Sequence, residues 1–243
     1  MNIIPVKNYQ DMSRKAAEIV SETINTMDKP VLGLATGSTP EGLYQCLINE
    51  HKEGNISFRH VTTFNLDEYV GLHGSDPNSY RYYMYDKFFQ HIDIELENTY
   101  VPNGVAEDLE KECTSYENLI QEHASIDLQI LGIGLNGHIG FNEPGTSFTS
   151  RTHIVELDEI TRQANARFFK SLDDVPTQAI TTGIGTIMES KKIILLISGE
   201  NKAETVARLV NGEISETFPA SILNEHSNVS IIADVASLSK LSK

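Results

Sequence analysis

An imidazole, a carboxylate and a carboxamide crowd one short stretch of this chain: His138, Glu143 and Asn136, within Gly132-Ile133-Gly134-Leu135-Asn136-Gly137-His138-Ile139-Gly140-Phe141-Asn142-Glu143-Pro144-Gly145. An imidazole gains and loses protons near neutral pH, and a polar neighbour decides which ring nitrogen carries the proton. The interspersed glycines let the backbone turn sharply and let a ligand approach the main chain. Proton transfer is the chemistry these residues suit. A plain glycine-rich turn would show the same composition, so the other polar clusters must decide.

Thr36-Gly37-Ser38-Thr39-Pro40 stands between an apolar run and a helix start. Its amides and hydroxyls can surround a phosphate, aided by the positive end of the helix dipole. It lacks the Gly-Lys-Ser/Thr ending of a nucleotide P-loop. A simple capping turn is the alternative, since Ser and Thr favour such positions. Asp67 follows the β-branched run Val61-Thr62-Thr63; a carboxylate there can abstract a carbon-bound proton if its surroundings raise its pKa. Arg167 and Lys202 are candidate phosphate cations. Gly132, Gly134 and Gly137 match G-x-G-x-x-G, but Phe141-Asn142-Glu143-Pro144-Gly145 interrupts the helix that a dinucleotide fingerprint must open.

These clusters need elements to position them, and the hydrophobic pattern supplies a series. Strands are predicted over 2–6, 30–35, 61–66, 128–133, 154–157, 192–198 and 229–233. Helices are predicted from Asn8 as cap to about Met27, from Pro40 to about Asn49, then over 106–123, 160–170, 183–190 and 202–210. A helix carrying Tyr80, Tyr83, Met84, Phe88 and Phe89 has core spacing, and its cluster with Tyr85 is expected to be packing, not base stacking. Asp67 to Asn78 is expected to be polar connection. The alternation predicts an α/β fold, a mostly parallel sheet with helices on both faces in a Rossmann-like, open three-layer arrangement. In such sheets ligands bind beyond the carboxyl ends of the strands. Thr36–Thr39, Asp67, Asn136–Glu143 and Lys202 all follow strand ends, and that convergence is the case for an active site.

Composition bounds the rest. The 243 residues fit a single domain, and 40% hydrophobic with 22% charged residues allows an ordinary core. A net charge of −15 argues against nucleic-acid or anionic-membrane partners. No run reaches the roughly 18 apolar residues of a membrane span. Residues 1–10 lack a signal-peptide pattern, and Cys46 and Cys113 give neither a disulfide framework nor a zinc spacing. The expectation is a soluble, cytoplasmic protein with reduced thiols.

Leu34 to Pro40, Phe64-Asn65-Leu66-Asp67-Glu68-Tyr69-Val70-Gly71-Leu72 and Gly132 to Pro144 together resemble the glucosamine-6-phosphate deaminase family, also known as the glucosamine/galactosamine-6-phosphate isomerases. Ser150-Arg151-Thr152, Asn165-Ala166-Arg167-Phe168-Phe169 and Lys202 after Ser198-Gly199 extend the resemblance in order over nearly the whole chain. It implies conversion of glucosamine 6-phosphate and water to fructose 6-phosphate and ammonia, with no metal and no organic cofactor. By resemblance, His138 opens the sugar ring with Glu143 and Asn136 holding it, and Asp67 carries a proton from C2 to C1. Thr36, Gly37, Ser38, Thr39, Arg167 and Lys202 would bind the phosphate, and a lid would span about 144–170. The resemblance leaves the oligomeric state open.

Two departures stand out. Many members of the family carry Asp at the place of Asn136, and an amide supplies no charge to an imidazolium; an altered pH profile is expected. Some longer members are activated by N-acetylglucosamine 6-phosphate through basic residues where this chain reads Arg151-Thr152-His153-Ile154-Val155, so weak or absent activation is expected. A 6-phosphogluconolactonase shares the phosphate and histidine loops but usually reads Asp-Glu-Arg where this chain has Asp67-Glu68-Tyr69. A non-catalytic sugar-phosphate-sensing domain is the other alternative; this chain has no basic helix-turn-helix extension.

Overall fold

The computed structural model describes residues 1–166 and 169–241. The elements run β1 (Asn2–Val6), α1 (Tyr9–Thr26), β2 (Val31–Leu34), α2 (Glu41–Lys52), β3 (Thr62–Asn65), β4 (Asp67–Tyr69), α3 (Tyr80–Lys87), β5 (Thr99–Tyr100) and α4 (Leu109–Glu122). They continue with β6 (Leu128–Leu131), β7 (His153–Glu156), α5 (Glu159–Asn165), β8 (Gln178–Thr181), α6 (Ile184–Met188), β9 (Ile193–Ile197), α7 (Ala203–Asn211) and β10 (Val229–Asp234). Local chemistry sets several helix starts. Side chains of Asn8, Ser79 and Asp108 accept hydrogen bonds from the amides of Asp11, Tyr82 and Lys111 at 2.9, 3.1 and 3.0 Å.

Seven strands form the main sheet in the order β1-β10-β9-β6-β2-β3-β5. Every neighbouring pair is parallel. Strand alternation divides the core between two faces. Leu32, Leu34, Ile194 and Leu196 pack with α1, α2 and the Met84–Phe89 region. Ile193, Leu195 and Ile197 point the other way, against Ile187 of α6 and Val206 and Leu209 of α7. Val31 and Phe64 meet Tyr116 and Ile120 of α4. Because both faces are covered, β2, β6 and β9 are buried at every position, and β9 is aliphatic along its whole length. The α/β, helix-on-both-faces expectation holds.

The strands β4, β8 and β7 form a second, antiparallel sheet that the hydrophobic pattern did not reveal. Asp67-Glu68-Tyr69 is a strand, not polar connection, and Asp67 opens it instead of closing the preceding one. Acidic residues are poor strand formers; pairing with β8 overrides that preference. The predicted helix over 160–170 is Glu159–Asn165 within the described residues.

Candidate active site

Four adjacent strands of the main sheet, β9-β6-β2-β3, run parallel, so their carboxyl ends open on one edge. The four polar segments singled out from the sequence follow these ends side by side. They line one cleft of about 550 Å³ with Thr36, Gly37, Ser38, Thr39, Asp67, Asn136, His138 and Lys202 on its walls. That volume suits a small metabolite.

Asp67 faces this cleft while Glu68, next along β4, faces away, as strand geometry requires. Glu68 accepts the amides of Tyr69, Tyr80 and Arg81 at 2.8, 2.9 and 3.0 Å and so fastens β4 to the start of α3. Asp67 is 7% exposed, and burial, with the neighbouring Glu68 charge, pushes its carboxyl up to about 8. A carboxylate that holds a proton so firmly is a competent base for a carbon acid.

The loop after β6 assembles the imidazole. The Asn136 amide donates to Glu143 Oε2 at 2.8 Å while its Oδ1 accepts the His138 backbone amide at 3.2 Å. His138 Nδ1 lies 3.5 Å from the same Oε2, too long for a well-formed hydrogen bond, and is otherwise unpartnered among the described residues. Burial raises the Glu143 carboxyl, but His138, Thr161 and Asn136 outweigh it and hold it below its ordinary value. The ring lies over Gly134, where an added Cβ would come within 2.3 Å of Cε1; only glycine permits this seat.

The phosphate-loop candidate is braced by tyrosines. Tyr83 donates to the Gly37 carbonyl at 2.6 Å and Tyr9 to that of Ser38 at 2.9 Å. Gly37 has a φ of +90°, a conformation that favours glycine. Lys202 Nζ donates to the Ile133 carbonyl at 2.7 Å, and burial lowers its pKa. Asp234 fixes the turn before it, accepting from Ser198 Oγ at 2.6 Å and from the Gly199 amide at 3.1 Å. Arg167 lies outside the described residues.

Sequence reasoning missed several contributors, Tyr9 and Asp234 among them. Tyr80 lines the cleft and Tyr83 braces the loop, whereas Phe88 and Phe89 are core and Tyr85 is exposed; the aromatic helix is therefore more than packing. Thr181 of β8 accepts the Phe141 amide at 3.1 Å, and Thr161 of α5 donates to Glu143 Oε1 at 2.5 Å. The aromatic helix offered a signal, a tyrosine-rich face beside a polar stretch. The threonines offered none.

The profile of the glucosamine-6-phosphate isomerases/6-phosphogluconolactonase family matches residues 6–232. The chain belongs to this family. Within the family it is similar to the glucosamine-6-phosphate deaminase of Oceanobacillus iheyensis, 62% identical over 242 residues, covering 100% of this chain and 97% of that protein. It is 56% identical over 234 residues to glucosamine-6-phosphate deaminase 1 of Bacillus subtilis, covering 96% and 97% of the two chains. A solved monomeric glucosamine-6-phosphate deaminase superposes with a TM-score of 0.97 at 55% identity, covering 98% of this chain and 99% of that one. The 6-phosphogluconolactonase of Trypanosoma brucei, at 18% identity and a TM-score of 0.77, shares the fold.

Proposed function

We propose that this chain is a glucosamine-6-phosphate deaminase, turning glucosamine 6-phosphate and water into fructose 6-phosphate and ammonia. The observation that carries this is the meeting of a buried, high-pKa Asp67 and His138, with Glu143 behind the imidazole, at one cleft beside a candidate phosphate loop. Full-length similarity to relatives bearing that name supports it.

The roles follow from the geometry. A proton on Nδ1, favoured by the Glu143 carboxylate, leaves Nε2 to accept the anomeric hydroxyl proton and pass it to the ring oxygen as the C1–O5 bond breaks. Asp67 takes the C2 proton of the open aldehyde as O1 gains a proton, giving an enamine, and returns it to C1 as the amine nitrogen gives up a proton. An imine remains at C2; water adds there, ammonia leaves, and the ketose carbonyl forms. Ser38, Thr39 and Lys202, with Arg167 from the family resemblance, hold the phosphate away from the reacting carbons, so that binding energy positions C1 and C2. By the family resemblance, residues from about 144 to 170 act as a lid. Their Thr161 already touches Glu143.

No metal or organic cofactor enters this scheme, and a cytoplasmic setting fits the free thiols of Cys46 and Cys113. No helix among the described residues is long and apolar enough to cross a membrane. The 6-phosphogluconolactonase alternative is disfavoured because ester hydrolysis gives Asp67 no carbon-bound proton to take. The deciding assay couples ammonia release to fructose 6-phosphate formation, with 6-phosphogluconolactone as the competing substrate. Turnover of the lactone alone would overturn the proposal, and binding without turnover of either would point to a sensor.

A further inference from the structure

The Glu143 carboxylate is held by two separate parts of the chain. Its Oε2 belongs to the glycine loop, taking the Asn136 amide and facing His138 Nδ1. Its Oε1 takes the Thr161 hydroxyl from α5. Thr161 is 5% exposed and lies on the cleft wall.

The other described bonds of this segment lead elsewhere. The Leu157 amide donates to the Thr177 carbonyl at 2.8 Å, and Arg162 Nη2 donates to the carbonyls of Leu172 and Val175 at 3.1 and 2.9 Å. These tie α5 to its own return path. The Thr161 hydroxyl instead ties it to the reacting region. A carboxylate gripped at one oxygen still swings about its terminal bond, whereas one gripped at both keeps its plane. That plane sets how Oε2 meets the imidazole.

We propose that Thr161 is a positioning residue that does two things with one hydrogen bond: it locks the Glu143 carboxylate plane toward His138, and it latches α5 over the cleft. This rests on the deaminase function proposed above. The latch makes the ring-opening pair complete only while α5 is seated, so lid position and proton transfer are joined at one hydroxyl.

Thr161→Val removes the hydroxyl at nearly constant volume, and Thr161→Ser keeps it while removing the methyl. Both are compared with wild type for kcat and KM on glucosamine 6-phosphate, and for amide hydrogen exchange across α5 in the ligand-free protein. A hydrogen bond to a charged acceptor implies that Thr161→Val loses about 10- to 100-fold in kcat, with KM within about threefold and α5 amides exchanging faster. Thr161→Ser should stay within about threefold of wild type on each measure. A wild-type kcat in Thr161→Val overturns the positioning role, whatever α5 does. Equal losses in Thr161→Ser and Thr161→Val also overturn it, because the methyl and not the hydroxyl would then matter. If wild type itself releases no ammonia, the deaminase assignment fails separately, and unchanged exchange in Thr161→Val would still refute the latch.

Discussion

Replacing Asp67 with Asn removes one ionisable group from a buried wall while keeping its shape, and the consequences for stability and catalysis run in opposite directions. Burial pushes the Asp67 carboxyl from its ordinary 3.8 up to about 8. The folded pKa therefore lies above the unfolded one. Stability from this group is fully present below about pH 4 and is lost as pH rises through about 8. At about 1.36 kcal/mol per pH unit, the separation is worth up to about 6 kcal/mol, reduced in practice by water entering the cleft. The carboxamide of the Asp67→Asn variant has nothing to ionise, so urea-unfolding free energies of wild type and variant should diverge with pH. The wild type should lose at least about 2 kcal/mol relative to the variant between pH 5 and pH 9. The catalytic base must be ionised, so wild-type kcat/KM should rise with pH along a limb centred near 8, while Asp67→Asn should bind substrate and turn over none. A constant stability gap across that pH range, together with an activity limb near pH 4, would show that Asp67 is an ordinary hydrated carboxylate and refute the reasoning.

Asn136→Asp would set two carboxylates where the Asn136 amide now meets Glu143 at 2.8 Å. One of the pair should then bind a proton more tightly, and the added negative charge beside His138 should move the pH–rate profile; superimposable profiles would discount the electrostatic role of this position. Lys202→Met removes a cation that burial already disfavours and that a bound phosphate would restore. It should raise KM by about tenfold or more with a smaller effect on kcat, and an unchanged KM in steady-state assays would remove Lys202 from the phosphate site.

The chain's local patterns determined the frame. Runs rich in β-branched and aliphatic residues marked six of the seven strands of the main sheet, β5 being too short to register, because strands covered on both faces are mostly apolar. Glycine density, Ser and Thr before a helix, and polar residues after strand ends likewise pointed to Thr36–Thr39, Asp67, Asn136–Glu143 and Lys202, since each reflects a backbone or protonation demand expressed by a few neighbouring residues.

What lay beyond the sequence is what depends on distant partners. Asp67-Glu68-Tyr69 becomes a strand only because β8 is there to pair with it, and no local preference of those residues foretells that. The pKa of Asp67 is set first by its burial, which only the fold supplies, with the adjacent Glu68 charge adding to it. Thr161 looks like any helical threonine until α5 is laid over the cleft and its hydroxyl reaches Glu143. Sequence set out which groups could do the chemistry; the adjacency of β9, β6, β2 and β3 decided that they would share one cleft, because parallel strands bring their carboxyl ends to a common edge.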